Sequence, residues 1–270
     1  MTSPSKLWPW PQGDMSAPAT PDAFFAVDTE TTGLEPFRHR VLSVGVAGSD
    51  DETWGDARGD VDSAIWLVPK RYHRGMEIDP AAFEVNGLGE LYAAESAWKL
   101  AACEEWEAKV GEWATDRVPV GCYLTFDARH LLATILAGQG WKGGDSAHWL
   151  DGWQPGVCVK GIDEVLSPWV AGPKPRRRLV DLYERWIGER LEQTHRADDD
   201  ARAAWQVFCA QMGEWERRWG KPSVGEVVRA SQEPYKARLS AKLVELEERA
   251  RQVEVRKGQI FSALATIGLP

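Results

Sequence analysis

The patterned part of the chain opens on an apolar run, "AFFAVDTET" from Ala23 to Thr31, which has the texture of a buried strand. A turn, "TTGLEPFRH", follows it, with Gly33 free to take positive φ. "RVLSVGVAGSD" and "SAIWLVPK" read as a second and a third strand, the last stopped by Pro69. Three strands so closely spaced predict an antiparallel meander. "MEIDPAAFEVNGLGE" then predicts a short helix, opened by Asp79-Pro80 and closed by Gly87. From Glu90 to Trp113 the apolar positions recur at helical spacing, including Leu91, Ala94, Trp98, Ala101 and Val110.

"RVPVGCYLT" reads as a fourth strand that runs straight into a helix, "FDARHLLATIL". The Gly- and Trp-rich segment from Ala137 to Gly156 reads as a loop, and "VCVKG" as a short fifth strand. "RRRLVDLYERWIG" is amphipathic, with Leu179, Leu182, Tyr183, Trp186 and Ile187 on one stripe and Gly188 as its stop. "THRADDDARAAWQVFCAQM" begins as a His-containing loop and continues as a helix, for which Asp198 is the expected N-cap. This order describes an α/β domain over residues 22–220, a mixed sheet flanked by helices. Residues 1–21 are rich in Pro, Ser and Ala and read as a flexible tail. Residues 221–270 read as a C-terminal helical extension. Within it, Leu239, Leu243, Leu246, Ala250, Val253, Lys257, Ile260, Leu264 and Ile267 alternate spacings of four and three, a heptad seam interrupted by Gly258. Such a seam suits self-association or a protein partner through residues 235–268, but single apolar stripes are common on ordinary helices, which favours a long helix packed on its own domain.

Composition narrows the class. The chain has 270 residues, 43% of them hydrophobic and 27% charged, which supports a sizeable core. No apolar run approaches the roughly 18 residues of a membrane span, and the N-terminus lacks the apolar stretch of a signal peptide. None of the four cysteines forms a C-x-x-C pair, so they are expected to be reduced thiols in a cytoplasmic protein. A net charge of -9 lacks the basic footprint usual for a nucleic-acid binder. An acidic metal site would contribute to that charge without being negative once loaded.

The first strand carries the chemistry. Asp28 and Glu30 stand at i and i+2, so they share a face about 7 Å apart along the strand. Like charges held together in a dry setting need a positive partner, and a divalent cation is the first candidate. Two more acids stand at element ends, Asp127 after the fourth strand and Asp200 at the start of a late helix, with His195 five residues before Asp200. Oxygen ligands of this kind suit Mg²⁺ or Mn²⁺. Two such ions can clamp the attacking and leaving oxygens of a phosphoryl displacement, and an imidazole can take the proton of an attacking water.

In these segments the sequence resembles the DnaQ-like family of 3′-to-5′ exonucleases, in the subgroup called DEDDh for its four acids and histidine. "FAVDTETTGLEP" resembles the first motif, "LTFDARHLL" the second, and "HRADDDARAAW" the third, with His195, Ala197 and Asp200 in the family's spacing. "IDPAAFEVNGL" resembles the segment after the family's third strand. The resemblance spans Phe24 to about Phe208 and implies an RNase H-like fold. It implies that Asp28, Glu30, Asp127 and Asp200 hold two ions, Mg²⁺ or Mn²⁺, and that His195 is the general base. It implies that Thr31, Gly33, Leu34 and Phe126 contact the terminal 3′ nucleotide, Leu34 as an apolar wedge. The expected reaction is release of nucleoside 5′-monophosphates from the 3′ end of DNA or RNA. Where the family carries His-Asn ahead of the second motif's acid, this chain has Cys122-Tyr123.

Plainer readings stand beside these. A strand end surfacing into solvent also carries acids, and an Asp after a strand is often a helix cap. Asp198 and Asp199 compete with Asp200, and only the five-residue spacing selects it. "KPRRR" (Lys174 to Arg178) and "KRYHR" (Lys70 to Arg74) suit phosphates or a solvated basic face. "LWPWP", with Trp8 and Trp10, suits a partner or a functionless tail. An exoribonuclease, and a catalytically idle module of the same fold used for binding or assembly, remain the alternatives to a deoxyribonuclease.

Overall fold

The computed structural model describes residues 13–49, 54, 61–140, 156–168, 171, 173, 175–192 and 195–266. Trp8, Trp10, Lys174 and most of the Gly- and Trp-rich segment lie outside these residues.

Five strands form one mixed sheet in the order β3-β2-β1-β4-β5. They are β1 (Phe24–Thr31), β2 (Val41–Gly48), β3 (Asp62–Leu67), β4 (Val118–Gly121) and β5 (Val157–Cys158). β1, β2 and β3 form the expected antiparallel meander, while β4 and β5 run parallel to β1. This is the RNase H-like α/β arrangement, with helices on both faces. β1 is central and covered on both sides, which is why its sequence is a continuous apolar run before the acids.

The two faces divide the residues of β1 by parity. Phe24 and Ala26 face a core built with α6 (Val159–Leu166), α7 (Leu179–Ile187) and α8 (Ala197–Trp219). Phe25 and Val27 face a second core built with α4 (Trp106–Ala114) and α5 (Leu124–Gly138). Phe24 and Phe25 are both essentially unexposed, and each such burial contributes about 1.5–3 kcal/mol. Three of the tryptophans, Trp98, Trp106 and Trp205, are fully buried core residues.

Several elements form for the reasons the sequence suggests. α1 (Pro80–Asn86) has Asp79 as N-cap, its side chain accepting from Ala81 N, and Gly87 as a left-handed C-cap at φ 66°. α7 ends at Gly188, φ 79°. The helical stretch from Glu90 to Trp113 is broken into α2 (Gly89–Ala93), α3 (Glu95–Ala101) and α4. The break after α3 has a cause: Ala102 is extended and forms a bridge with Leu67, and Cys103 N donates to Leu67 O, which covers part of the β3 edge.

Other expectations are corrected. The fourth strand stops at Gly121 rather than at Thr125 and α5 begins at Leu124, which leaves Asp127 in the first helical turn, as expected. "VCVKG" is only a two-residue strand, because its second valine starts α6. Val159, Ile162 and Leu166 bury one stripe of that helix. Asp198 is not the N-cap of α8; Arg196 is, and Asp198 and Asp199 lie in the first turn, each in an ion pair with Arg196.

Part of the expected tail is fixed in place. Ala19 is fully buried and its N–H donates to Pro222 O, while Val224 and Gly225 donate to Ala17 O and Met15 O. α9 runs from Val224 to Thr266, with Pro234 inside it. The chain divides into two compact units, Met1–Gln232 and Glu233–Pro270, so the first turns of α9 belong to the domain. Val224, Val227 and Ser231 are buried there. In the second unit Val253, a seam residue, is 52% exposed. Among the described residues no helix is long and apolar enough to cross a membrane. The four cysteines are free thiols.

Candidate active site

The site lies at the C-terminal end of β1, where strand parity continues after the apolar residues end. Asp28 and Glu30 extend the Phe24/Ala26 face, toward α8, and Thr29 and Thr31 extend the opposite face, toward α5. α8 approaches the sheet closely because Asp28 is paired across the ladder with Gly45. A Cβ on Gly45 would overlap the backbone of Ala197 and Asp198 at the start of α8. Glycine therefore lets the first turn of α8 rest on β2, which brings Asp200 over β1. Carboxylate oxygens of Asp28, Glu30 and Asp200 all lie within 4.8 Å of one another.

Asp127 joins from the other side. It is 3% exposed, and Thr29 Oγ1 donates to its Oδ1 at 2.8 Å. It stands outside the group of three but acts on it through charge: desolvation raises Asp28 well above the usual carboxylate range, and Asp127, Asp200 and Glu30 raise it further. Burial, with Asp200 and Asp127, pushes Glu30 up to about 8. Burial also pushes Asp127 up to about 7, against the lowering effect of its bond from Thr29 and of the Lys160 charge. Acids that hold one another's protons in this way form a site that favours a hard cation. His195 stands two residues before α8, partly exposed, with a left-handed φ of 51°; it also stands outside the group of three.

The segment after the acids is tightly ordered. Thr31 Oγ1 donates to Gly33 O, and Asn86 Nδ2 donates to Thr31 O. Gly33 takes φ 154° with the His39 ring against it, where a Cβ would sit 2.5 Å from the imidazole. Leu34 next to it is 76% exposed, an apolar side chain with no core to fill. Phe126, in the first turn of α5, stacks at 4.1 Å between ring centroids on buried His130.

Two members of the basic clusters, Arg177 and His73, are engaged inside the fold. Arg177 is 8% exposed at its side chain and binds Asp163, which is fully buried and also accepts from Arg185 and Trp186. In the other cluster, His73 is buried with Nε2 at 2.8 Å from Val41 O, Lys70 pairs with Glu95, and Arg71 pairs with Glu104. One pair of residues at the site carried no signal of its own in the sequence. Lys160, in the first turn of α6, places Nζ 3.2 Å from the centroid of the Tyr123 ring, and Tyr123 is 66% exposed. The substitution of Cys122-Tyr123 for His-Asn marked the place, but not the lysine.

No family model and no curated protein matches this sequence. Among solved structures, the chain is similar to E. coli exonuclease I in a zinc-bound complex with single-stranded DNA: 16% identity, TM-score 0.46, covering 72% of this chain and 41% of that one. It is similar also to exonuclease I from Methylocaldum szegediense, with 18% identity and TM-score 0.45 over 73% of this chain and 40% of that one. A third is E. coli exonuclease I with a dT13 oligonucleotide, at 18% identity and TM-score 0.45. The chain thus spans about two-fifths of the length of these proteins, 41% and 40% in the first two.

Proposed function

We propose that this protein is a metal-dependent 3′-to-5′ exonuclease that releases nucleoside 5′-monophosphates from single-stranded or 3′-terminal DNA. The observation that carries the proposal is the convergence of Asp28, Glu30 and Asp200 within 4.8 Å, with Asp127 acting on them from the opposite face of the sheet. The donor set is oxygen only, partly desolvated and mutually repelling, which fits Mg²⁺ or Mn²⁺. Asp28, Glu30 and Asp200 would hold one such ion, and Asp127 with Asp28 would serve a second. Bound there, the ions would polarise the scissile phosphate and neutralise charge on the attacking and leaving oxygens.

The residues of the chain do the rest. Leu34 would press its exposed side chain against the terminal base, and the ordered backbone from Thr31 to Gly33 would set the place of the last nucleotide. Phe126 would bound the same pocket from α5. His195 would accept the proton of a water whose oxygen attacks phosphorus. The bond from phosphorus to the 3′ oxygen of the preceding nucleotide breaks. That oxygen takes a proton from solvent, leaving a 3′-hydroxyl on the shortened strand.

The test is digestion of 5′-labelled single-stranded DNA and RNA of one sequence, with Mg²⁺, Mn²⁺ or EDTA, beside Asp28→Ala. A ladder that shortens from the 3′ end, and is lost with EDTA and with the variant, supports the proposal. Faster loss of the RNA would make the protein an exoribonuclease. No shortening of either polymer in any metal overturns the nuclease reading in favour of a binding module.

A further inference from the structure

Nucleic acid is a polyanion, and the acidic cluster repels it until bound cations neutralise the acids. The net charge of the chain is -9. Many basic side chains are already committed: Arg38 to Glu77, Lys70 to Glu95, Arg177 and Arg185 to Asp163, and Arg178 to Asp181. Something at the mouth of the site must still attract a phosphate backbone.

Lys160 has the right place. β4 and β5 end side by side there, with Cys158 Sγ donating to Cys122 O at 3.2 Å. Tyr123 follows Cys122, and its carbonyl accepts from the N–H groups of Phe126 and Asp127 in the first turn of α5. Lys160, two residues after Cys158, stands over the Tyr123 ring, near enough to Asp127 for its charge to be felt there. Among the described residues it has no carboxylate within ion-pairing distance. The aromatic face holds the ammonium in position without neutralising it. The ring itself keeps 66% of its surface exposed.

We propose that Lys160 and Tyr123 form a strand-binding contact at the rim of the acidic cluster, the ammonium taking a backbone phosphate and the open side of the ring taking a base of single-stranded nucleic acid. The pairing of a cation with an aromatic platform is how single strands are held without sequence preference. The inference rests on the nuclease reading of the neighbouring acids, and the two can fail separately.

The experiment measures steady-state hydrolysis and binding of a fluorescent dT oligonucleotide over a range of salt, the binding in Ca²⁺, for the full chain and for Lys160→Gln, Lys160→Arg and Tyr123→Ala. Lys160→Gln is expected to raise KM about tenfold with a far smaller change in kcat, the loss of one charged hydrogen bond. It is also expected to reduce the slope of log K against log salt by about 0.7, one phosphate's share on a single strand. Lys160→Arg restores most of both. Tyr123→Ala weakens binding about tenfold with little change in slope. An unchanged slope and KM in Lys160→Gln overturns the inference, even if the wild-type protein hydrolyses the oligonucleotide. A shifted Mn²⁺ requirement with an unchanged slope also overturns it, and assigns Lys160 to Asp127. Binding with the expected slopes but no hydrolysis supports the contact and sinks the nuclease reading. A wild-type protein that neither binds nor hydrolyses sinks both.

Discussion

Thr29 Oγ1 donates a 2.8 Å hydrogen bond to Asp127 Oδ1, joining two residues 98 positions apart. The bond runs on the opposite side of β1 from Asp28 and Glu30. It fixes one carboxylate oxygen of Asp127 and favours its ionised form. Thr29→Val keeps the shape and removes the donor. Activity is expected to fall about 10- to 100-fold, the usual cost of losing a support to a metal-binding carboxylate, and Thr29→Ser is expected to recover most of it. Comparison of kcat/KM for the two variants at saturating Mg²⁺ and at limiting Mg²⁺ checks this.

Glu30 makes the stability of the metal-free protein depend on pH. Its folded-state value is pushed up to about 8 from an ordinary 4.5. Below 4.5 both folded and unfolded chains carry this proton. Between 4.5 and 8 the unfolded chain releases it while the folded chain holds it, so the contribution of this group to stability falls as pH rises and is gone once pH passes about 8. The melting temperature in EDTA should therefore drop from pH 5 to pH 8, and Glu30→Gln should make the drop smaller, the raised Asp28 and Asp127 supplying the rest. Mn²⁺ at about 100 times its Kd should restore about 2.7 kcal/mol at pH 8, roughly 5–10 °C. A melting curve as stable at pH 8 as at pH 5 without metal would contradict this.

Gly45 sets the distance between α8 and the sheet. Gly45→Ala forces a methyl group into the backbone of Ala197 and Asp198. Overpacking of this kind costs about 1–3 kcal/mol. Activity should fall well beyond what that loss explains, because the displaced turn carries Asp200 and follows His195. The check is a melt to show that the variant is folded at the assay temperature, followed by an Mn²⁺ titration, which should show weaker binding.

Arg177, in the basic segment ending at Arg178, acts within the fold, while Arg176 and Arg178 are exposed. Arg177, Arg185 and Trp186 all donate to Asp163, which has no exposure of its own. Asp163→Ala leaves the buried Arg177 guanidinium without this anion and should cost about 3–5 kcal/mol. Urea denaturation measures it. A loss under 1 kcal/mol would return Arg177 to the pool of phosphate-binding residues.

Local rules made much of this legible. The i, i+2 acids on a buried strand, the Asp79-Pro80 cap and the stop at Gly188 each follow from a few neighbouring residues. What escaped depends on distant partners. The boundary between the fourth strand and α5 depends on where β4 loses its neighbour, and β4 pairs with β5 only at Val120 and Gly121. α6 was hidden because Val157, Cys158 and Val159 look like strand, although Val159, Ile162 and Leu166 already had helical spacing. Arg177 looked like surface because nothing near it in sequence shows that Asp163 waits beneath. Gly45 is one glycine in a glycine-containing strand, and its use appears only when α8 lands on it. The packing of Ala17 and Ala19 against the start of α9 joins two ends of the domain that no local pattern connects.

His195 holds a left-handed backbone, φ 51°, where most residues other than glycine are strained. Strain of this kind costs on the order of 1 kcal/mol, so His195→Gly should melt slightly higher than the wild type while losing the imidazole. Folding alone would favour the glycine. Asp116 holds a similar backbone at φ 56°, so the conformation alone assigns no role; at His195 it places an imidazole two residues ahead of the helix that carries Asp200, where the proposed proton transfer would use it.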